Sequence, residues 1–269
     1  MSTAAVATSI RDRLHVVEHA THREIRCAHT VVMLHGIGGS AASCAPLADR
    51  LAAAGISAWC VDAPGYGASP DPSPTTDVVA DVIDLIDSIT PDAPVVLLGT
   101  SWGGVIAMSA ALRRPDRIAA LVIADSTRGS GTTSTKAAAM RDRIVELAER
   151  GADAVATARA HRLTAPTADP TVAASVRRSM ADVRQPGFTA AAEFMAATDL
   201  GPELTRIDCP TLVLVGAHDT ITGVDESRLL ADTIPGAELH VLADAGHVAI
   251  QERPDAAADL VADFVRGLS

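Results

Sequence analysis

Short runs of apolar and β-branched residues alternate along this chain with stretches of helical periodicity. Six of the runs predict strands: Thr30 to Leu34, Ile56 to Val61, Pro94 to Leu98, Ile118 to Ala124, Thr211 to Val215 and Glu238 to Leu242. The stretches between and after them predict helices over Ser43 to Ala54, Thr75 to Ile89, Trp102 to Arg113, Asp225 to Thr233 and Asp255 to Arg266. Such alternation is typical of a mainly parallel sheet flanked by helices, which is an α/β fold.

Two other parts of the chain extend this pattern. Leu14 to Glu18 and Arg23 to Cys27 predict a leading hairpin, which would add antiparallel strands at one edge and give eight strands in all. Between Ser126 and Leu200 the strand signal disappears, and four Ala-rich helical stretches follow, separated by Gly and Pro residues. We therefore predict a core of residues 1–126 and 201–269, with a helical cap of residues 127–200 inserted after the sixth strand.

Size and charge narrow the classes of function. With 269 residues, 48% of them hydrophobic, the chain is long enough for one large domain with an insertion. Its net charge is −11 and it has no Lys/Arg-rich run, so we expect no nucleic-acid partner, because phosphate binding needs a positive face. A small-molecule substrate fits this charge better.

Other features bear on location and cofactors. No apolar stretch is long enough to span a membrane, and the first residues lack the apolar centre of a signal peptide. The four cysteines are widely spaced and predict neither a zinc site nor a disulfide framework. We therefore expect a cytoplasmic protein with no membrane contact, no metal and no cofactor. The oligomeric state stays open, because no apolar seam stands out from the periodicity of the core.

The segment Gly99-Thr100-Ser101-Trp102-Gly103-Gly104 follows directly after the strand that ends at Leu98. A Gly-x-Ser-x-Gly sequence between a strand and a helix is typical of a sharp turn that exposes the serine hydroxyl above the sheet edge. Ser101 is therefore the candidate nucleophile. A serine hydroxyl is a weak nucleophile at neutral pH, so this hypothesis requires a base and a carboxylate elsewhere.

The last third of the chain supplies a base and an acid. Asp219 follows the strand that ends at Val215, and His247 follows Gly246 on the loop after Leu242. The order Ser101, Asp219, His247 is the one expected for this serine turn. Asp125, at the end of another strand, is the alternative carboxylate.

Three other polar residues are weaker candidates for the triad. His218 is adjacent to the proposed acid and should point elsewhere, and Asp244 is close to His247 in sequence. His161 lies in the cap, where we expect it on a helix surface or in the substrate pocket.

The transition state of acyl transfer also needs donors for the oxyanion. The strand ending at Leu34 continues into His35-Gly36-Ile37-Gly38-Gly39, whose glycines allow a backbone N–H to turn inward. The N–H groups of Ile37 and Trp102 are the natural pair. A phosphate-binding loop is the alternative for such glycines, but the Gly-x-Gly-x-x-Gly pattern and the phosphate-loop lysine are absent.

The predicted cap differs from the core in charge. Residues 127–200 contain 10 Lys/Arg and 8 Asp/Glu, a net charge of +2, so the other residues carry −11 − 2 = −13. Such a cap could supply guanidinium groups for a carboxylate on the substrate, and Arg128 is the first candidate because it stands at the cap entry. The alternative is that these arginines lie on solvated helix faces.

The site is predicted to be poor in aromatic lining, since aromatic residues make up only 2% of the chain. This composition favours a small aliphatic or polar substrate. The candidate lining residues are the rings of Tyr66, Trp102, Phe188 and Phe194, the side chains of His161, Met140, Met180 and Met195, and Gly36 and Val248 beside the oxyanion loop and the histidine.

With these parts in order, the chain resembles the α/β-hydrolases over essentially its whole length. The resemblance is carried by HGIGG, VDAPGYGAS at Val61 to Ser69, GTSWGG, PTLVLVGAHD at Pro210 to Asp219 and AGHVAIQERP at Ala245 to Pro254. Serine at position 101 differs from the carboxylate nucleophile of the dehalogenase and epoxide-hydrolase branches. The stretch Gln185 to Ala192, with Asp199-Leu200, is similar to 3-oxoadipate enol-lactonases and related esterases, which implies a small, anionic lactone or ester.

Other branches of the family remain as alternatives. Ser-Trp-Gly-Gly is similar to the turn of proline iminopeptidases, but their His-Gly-Gly-Pro-Gly loop is absent. Meta-cleavage product hydrolases use the same triad on C–C bonds. A ligand-binding receptor that keeps the fold is an alternative of another class, since fold does not determine function. The sequence thus favours a cofactor-free serine hydrolase of a small carboxylic ester or lactone.

Overall fold

The computed structural model describes residue 10, residues 12–21 and residues 27–268. Its sheet has seven strands, in the order β1-β3-β2-β4-β5-β6-β7. The strands are β1 (His15–His19), β2 (Val31–Leu34), β3 (Ala58–Asp62), β4 (Val95–Thr100), β5 (Ile118–Ala124), β6 (Thr211–Gly216) and β7 (Glu238–Leu242). All neighbouring strands are parallel except β1, which is antiparallel to β3. The predicted mainly parallel sheet with an antiparallel edge is confirmed.

Ten α-helices accompany these strands within the described ranges. They are α1 (Ala41–Ala53), α2 (Val78–Ile89), α3 (Trp102–Arg113), α4 (Ser134–Arg150), α5 (Ala152–Arg159), α6 (Pro170–Ala181), α7 (Gln185–Ala197), α8 (Val224–Thr233), α9 (Ala249–Glu252) and α10 (Pro254–Arg266). Short 3-10 turns cover Pro115–Arg117, Ala160–Arg162 and Gly201–Arg206. None of the helices in the described ranges combines the length and hydrophobicity that crossing a membrane would need.

The core lies on both faces of the sheet because successive side chains of each strand point to opposite sides. Leu97 of β4 is buried on the face covered by α2, α3 and α8, and its neighbour Leu98 is buried on the face covered by α1 and α10. Strands buried on both faces explain the near-continuous apolar runs of the sequence. The result is the expected α/β architecture of a sheet between two layers of helices.

Strand register brings the ends of four strands to one edge. Leu34 of β2 is paired with Gly99 of β4, and Thr100 is paired with Ala124 of β5. On the other side of β5, Ala124 is paired with Leu214 of β6. The segments that leave β2, β4, β5 and β6 therefore begin side by side, although they are far apart in the sequence.

The structure differs from the prediction in the number of strands and in some helix ends. The predicted strand Arg23 to Cys27 lies almost entirely outside the described residues, so the helical insertion follows the fifth strand of the described sheet instead of the sixth. Helix α2 begins three residues after the predicted Thr75 because the Asp77 side chain caps it, accepting from the N–H groups of Val79 and Ala80.

Residues 127–200, which we call the helical insertion, contain α4, α5, α6 and α7 and no strand among them. The insertion contacts the core through the first turn of α7. A Cβ atom on Gly187 would come within 2.5 Å of the Gly65 carbonyl oxygen, so the two backbones are in direct contact. Beside them, Arg184 donates to Asp71 and to the carbonyl oxygen of Gly67 at 2.8 Å each. The role of the insertion as a separate cap domain stays a prediction.

Candidate active site

Ser101 occupies the turn between β4 and α3 in a left-handed conformation, with φ 52° and ψ −115°. This conformation is unfavourable for a residue with a side chain, so the surroundings must impose it. A Cβ atom on Gly103 would collide with the carbonyl oxygen of Leu34, which explains the glycine of the motif. The turn therefore combines backbone strain at the serine with close packing of the helix start on β2.

Ser101 belongs to a hydrogen-bonded chain of three side chains. His247 Nε2 lies 3.1 Å from Ser101 Oγ, and His247 Nδ1 lies 3.0 Å from Asp219 Oδ2. The Asp219 side chain is 0% exposed and that of His247 is 8% exposed. An ionised carboxylate only accepts hydrogen bonds, so His247 donates from Nδ1 and presents the lone pair of Nε2 to the serine.

Asp219 is held in its ionised form. Burial alone would raise the pKa of Asp219, but hydrogen bonds from His247, Thr222 and the N–H of Ile221 outweigh it and hold that pKa well below its ordinary value. The Thr222 hydroxyl donates to Oδ2 at 2.6 Å, and the Ile221 N–H donates to Oδ1 at 2.7 Å. The carboxylate can therefore orient and charge-stabilise the His247 ring near neutral pH.

The acid and histidine loops are joined to each other by backbone hydrogen bonds. The N–H of His218 donates to the carbonyl oxygen of Ala245 at 2.8 Å. The Glu252 carboxylate accepts from the N–H of Gly246 at 2.7 Å and from that of Ala165 in the insertion at 2.8 Å. His218 itself is exposed, as its position beside Asp219 predicts.

Asp125, the alternative acid, has another set of partners. It is fully buried, and its two carboxylate oxygens accept from the N–H groups of Gly216 and Ala249, each at 2.9 Å. Burial, together with the negative charge of Asp219, raises the pKa of Asp125 to about 7 against the opposing charge of His247. The carboxylate bonded to the histidine is thus that of Asp219. Asp244 is exposed, 3.9 Å from Arg253.

The loop after β2 lies against Ser101. A Cβ atom on Gly36 would be 3.1 Å from the Ser101 Cβ, so only glycine fits there without displacement. His35 fixes this loop, since its Nδ1 lies 2.8 Å from the Gly36 carbonyl oxygen and its Nε2 accepts from the Ala63 N–H at 3.1 Å. Burial lowers the pKa of His35, which keeps the ring in the neutral form that this pair of bonds requires.

Two backbone N–H groups beside the serine are candidate oxyanion donors. Ile37 follows Gly36 and lines the same cavity as Ser101, and its N–H donates to no acceptor in the described part of the chain. Trp102 is the first residue of α3, where N–H groups have no intrahelical acceptor. These are the donors that the sequence predicts, and their role stays a prediction.

Two spaces meet at the serine and histidine. A recess of about 40 Å³ is lined by Gly36, Thr100 and Val248, and a cavity of about 380 Å³ extends under the insertion. Ser101 and His247 line both spaces. A site of this size suits a small ligand that has a short part in the recess and a longer part in the cavity, on either side of the Ser101 side chain.

The structure separates the predicted substrate contacts into two groups. Gly36 and Val248 line the recess, and the three predicted methionines, Met140, Met180 and Met195, line the large cavity. Arg128 is not among its lining residues, and its guanidinium is paired at 3.0 Å with Glu226, which does line the cavity. His161 is exposed and lines neither space.

The predicted aromatic contacts also lie apart from the large cavity. Phe188 is buried within the insertion, under the guanidinium of Arg143. Phe194 lines a separate pocket of about 310 Å³, together with Trp102. Tyr66 packs against Trp102 with ring centroids 5.5 Å apart and lines neither the recess nor the cavity. The predicted aromatic rings therefore line neither the recess nor the large cavity.

Sequence reasoning missed four cationic residues of the cavity, which are Lys136, Arg143, Arg159 and Arg162. One signal could have found two of them, because Lys136, Met140 and Arg143 are spaced by four and three residues on α4 and so share one helix face. Among the described residues, no group of three or more His, Cys, Asp and Glu side chains could hold a metal ion.

Comparisons with known proteins agree with this geometry. A family model described as the alpha/beta hydrolase fold matches residues 29–254. A pimeloyl-(acyl-carrier protein) methyl ester esterase of Chromobacterium violaceum is 29% identical over 89% of this chain and 92% of its own. A 2-hydroxy-6-oxononadienedioate/2-hydroxy-6-oxononatrienedioate hydrolase of Cupriavidus pinatubonensis is 31% identical over 88% and 87%. The crystal structure of the enol-lactonase from Burkholderia xenovorans LB400 has a TM-score of 0.81 and 28% identity, over 94% and 96%.

Proposed function

Since this chain belongs to the α/β-hydrolase family, we propose that it hydrolyses a small carboxylic ester or lactone through an acyl-enzyme on Ser101. The observation that carries the proposal is the continuous hydrogen-bonded chain from Ser101 through His247 to Asp219, with distances of 3.1 and 3.0 Å. The similarity to an esterase and an enol-lactonase supports this choice of substrate class.

In the first half-reaction, His247 Nε2 accepts the proton of the Ser101 hydroxyl while Oγ attacks the carbonyl carbon. The imidazolium that forms is stabilised by ionised Asp219, which keeps its own charge throughout. The tetrahedral intermediate collapses when the C–O bond to the leaving alcohol breaks. His247 then returns the proton to that alcohol, which leaves in an ester and stays attached to the acyl group in a lactone.

The negative charge that develops on the carbonyl oxygen needs donors at the moment it forms. We assign this role to the N–H groups of Ile37 and Trp102, each contributing on the order of 3 kcal/mol to the transition state. In the second half-reaction, water gives a proton to His247 and adds to the acyl carbon. The bond from that carbon to Ser101 Oγ then breaks, His247 returns the proton to Oγ, and the carboxylic acid is released. The sum is one ester bond and one water converted into one acid and one alcohol.

Replacement of the nucleophile tests this proposal. We expect Ser101→Ala to abolish hydrolysis of a short-chain aryl ester, because no other group can form the acyl-enzyme. Ser109→Ala is the matched control, since Ser109 lies on α3, the helix that follows Ser101, and donates to the Val105 carbonyl oxygen outside the site. Release of the phenol measures turnover. An organophosphate probe should transfer its phosphoryl group to Ser101 with loss of its leaving group, so mass spectrometry should detect this addition in the wild type and not in Ser101→Ala. Full turnover by Ser101→Ala would refute the nucleophile assignment.

Two other functions predict different results in the same assay. A C–C bond hydrolase, which the 31% identical Cupriavidus relative favours, would cleave vinylogous 1,5-diketo acids and leave esters nearly untouched. A ligand-binding receptor would react once and retain the product. Repeated turnover of esters by one enzyme molecule therefore separates the proposed function from both alternatives.

A further inference from the structure

The large cavity is lined by more cations than anions. Lys136, Arg143, Arg159 and Arg162 line it, and Glu226 is the carboxylate residue among its described lining residues. The charge of Glu226 is already compensated, because its carboxylate accepts from the Arg128 guanidinium at 3.0 Å, and the charge of Arg159 is compensated by Glu146. Lys136, Arg143 and Arg162 are the cavity cations without an ion pair among the described residues. The cavity that opens on Ser101 therefore has an excess of positive charge, in a chain whose net charge is −11.

Arg143 differs from most other arginines of the insertion. Six of them form ion pairs with a carboxylate, namely Arg128, Arg141, Arg150, Arg159, Arg177 and Arg184. Arg143 forms none within the ranges that the structure describes. Its guanidinium contacts the Met140 sulfur, 3.6 Å from Nη1, and the ring of Phe188, whose centroid is 5.5 Å from Cζ.

The surroundings of Arg143 disfavour its positive charge. Burial lowers the pKa of Arg143, and so do the positive charges of Arg159 and Arg162, which together outweigh the opposing effects of Tyr66 and Glu146. A guanidinium presents five N–H donors, and the half-buried Arg143 donates from Nη1 to the Met140 sulfur, which is a weak acceptor. Such an arrangement is stabilised by a bound anion, which satisfies the donors and separates the like charges.

We infer that Arg143 is the centre of an anion-binding subsite, assisted by Arg162 and Lys136, and that the substrate carries a free carboxylate besides its scissile carbonyl. This inference rests on the proposed function and narrows its substrate class. A planar guanidinium held over an aromatic ring presents its edge to a carboxylate in the bidentate geometry that arginine favours. The fixed charge would orient the acyl chain toward Ser101.

The sizes of the two spaces define the rest of the substrate. The recess of about 40 Å³ has room for about three waters, which corresponds to a group of very few heavy atoms. The cavity of about 380 Å³ accepts the longer, charged part. The substrate class is therefore a half-ester of an aliphatic dicarboxylic acid with a small alcohol, or a lactone with a carboxylate side chain.

Kinetics with matched esters test the subsite. The probes are the monomethyl esters of succinic, glutaric, adipic and pimelic acid, each compared with the neutral methyl ester of the same chain length. We expect the wild type to favour at least one half-ester. Arg143→Gln should lower kcat/KM for that half-ester by about ten- to a hundredfold and change the neutral ester by less than about threefold. Arg143→Lys keeps the positive charge but lacks the paired N–H donors of the guanidinium. Its kcat/KM for the half-ester should therefore lie between those of the wild type and Arg143→Gln.

A control and a binding measurement keep the outcomes distinct. Arg178→Gln makes the same change on α6, where Arg178 is exposed and lines neither space, and should match the wild type. In Ser101→Ala, which cannot turn over, free adipate or pimelate should raise the unfolding temperature, and this shift should be lost when Arg143→Gln is added.

The possible failures of the two proposals can be told apart. Equal rates for charged and neutral esters in wild type and Arg143→Gln, with no thermal shift, would overturn the anion subsite and leave the ester hydrolase intact. A dicarboxylate shift that depends on Arg143, in a protein that cleaves no ester, would overturn the proposed function and leave the subsite intact.

Discussion

At the scale of single residues, the two buried aspartates near His247 show how different surroundings shift the pKa of the same chemical group in opposite directions. Asp219 accepts hydrogen bonds from a histidine, a hydroxyl and backbone N–H groups, which hold its pKa well below the ordinary value. Asp125 accepts from two backbone N–H groups and lies beside the charge of Asp219, and its pKa is raised to about 7. Asp219 is therefore equipped to stay charged, while Asp125 joins β6 to the helix that follows the histidine.

We predict that Asp125→Asn lowers the unfolding free energy by about 1–3 kcal/mol. An amide has one acceptor oxygen, so either the Gly216 or the Ala249 N–H would face an NH₂ group and lose its partner. Chemical denaturation measures this change, and kcat should fall with it because Ala249 is two residues after His247. Unchanged stability and activity would show that this carboxylate does not hold the two elements.

The difference in unfolding free energy between wild type and Asp125→Asn should also depend on pH, in the direction set by the raised pKa of Asp125. The folded-state pKa of Asp125, about 7, lies above its unfolded value, so the folded state binds the extra proton between about pH 4 and 7. The contribution of Asp125 to stability is therefore greatest at low pH and declines as pH rises through this window. The stability difference between wild type and Asp125→Asn should shrink from pH 4 to 7, and a difference that grows would contradict the raised pKa.

At the scale of elements, Ser101, Asp219 and His247 lie on loops that follow parallel strands, and the helical insertion contributes most of the lining of the adjoining cavity. Glu252 links the histidine loop to the insertion through the N–H groups of Gly246 and Ala165. Arg184 and the contact of Gly187 with Gly65 hold α7 against the loop after β3. The shape of the cavity thus depends on contacts at two places in the insertion, at Ala165 and at the start of α7.

We predict that Gly187→Ala loosens the insertion and weakens catalysis together. Its Cβ would come within 2.5 Å of the Gly65 carbonyl oxygen, so the helix must move, with a loss of about 1–3 kcal/mol in unfolding free energy. The kcat/KM for the preferred ester should fall because Met140 and Arg143 of α4 would shift with α7. The control is Gly267→Ala, where a Cβ meets no atom closer than 3.4 Å. Equal unfolding curves for both variants would show that the contact is dispensable.

At the scale of the whole molecule, charge is distributed unevenly between core and insertion. The chain carries −11 in total, and residues 127–200 carry +2. An anionic substrate is therefore repelled by most of the surface and attracted by the cations around the cavity. Exposed charges act over a distance of about 8 Å at physiological ionic strength, so salt modulates this local attraction.

We predict that added salt separates charged from neutral substrates. Raising NaCl from low to high concentration should increase KM for the preferred half-ester by about twofold or more, because counter-ions screen Arg143, Arg162 and Lys136. KM for the neutral ester of the same length should stay constant, and this ester is the internal control. Parallel changes in both KM values would indicate a general salt effect on the enzyme instead of screening at the cavity.

Much of the fold was predictable because its signals are local. The apolar runs predict the strands, since a strand buried on both faces must be apolar throughout, and Trp102–Arg113 has the helix ends that the sequence predicts. Deviations occur where a side chain decides a helix end, as Asp77 does for α2. The strained turn at Ser101 and the order of the polar residues at the strand ends were also readable, because glycine spacing and strand length are local properties.

The sequence by itself therefore determined the α/β architecture and the segments that meet at the sheet edge where Ser101 lies. Only the tertiary structure decided which carboxylate contacts His247 and which arginine faces the cavity. Arg128 is paired with Glu226, 98 residues away, and Arg143 is left without a carboxylate partner in the described part of the chain. The reason is physical: charge pairing and cavity lining depend on how distant elements pack, and periodicity along the chain contains no information about a partner across the fold.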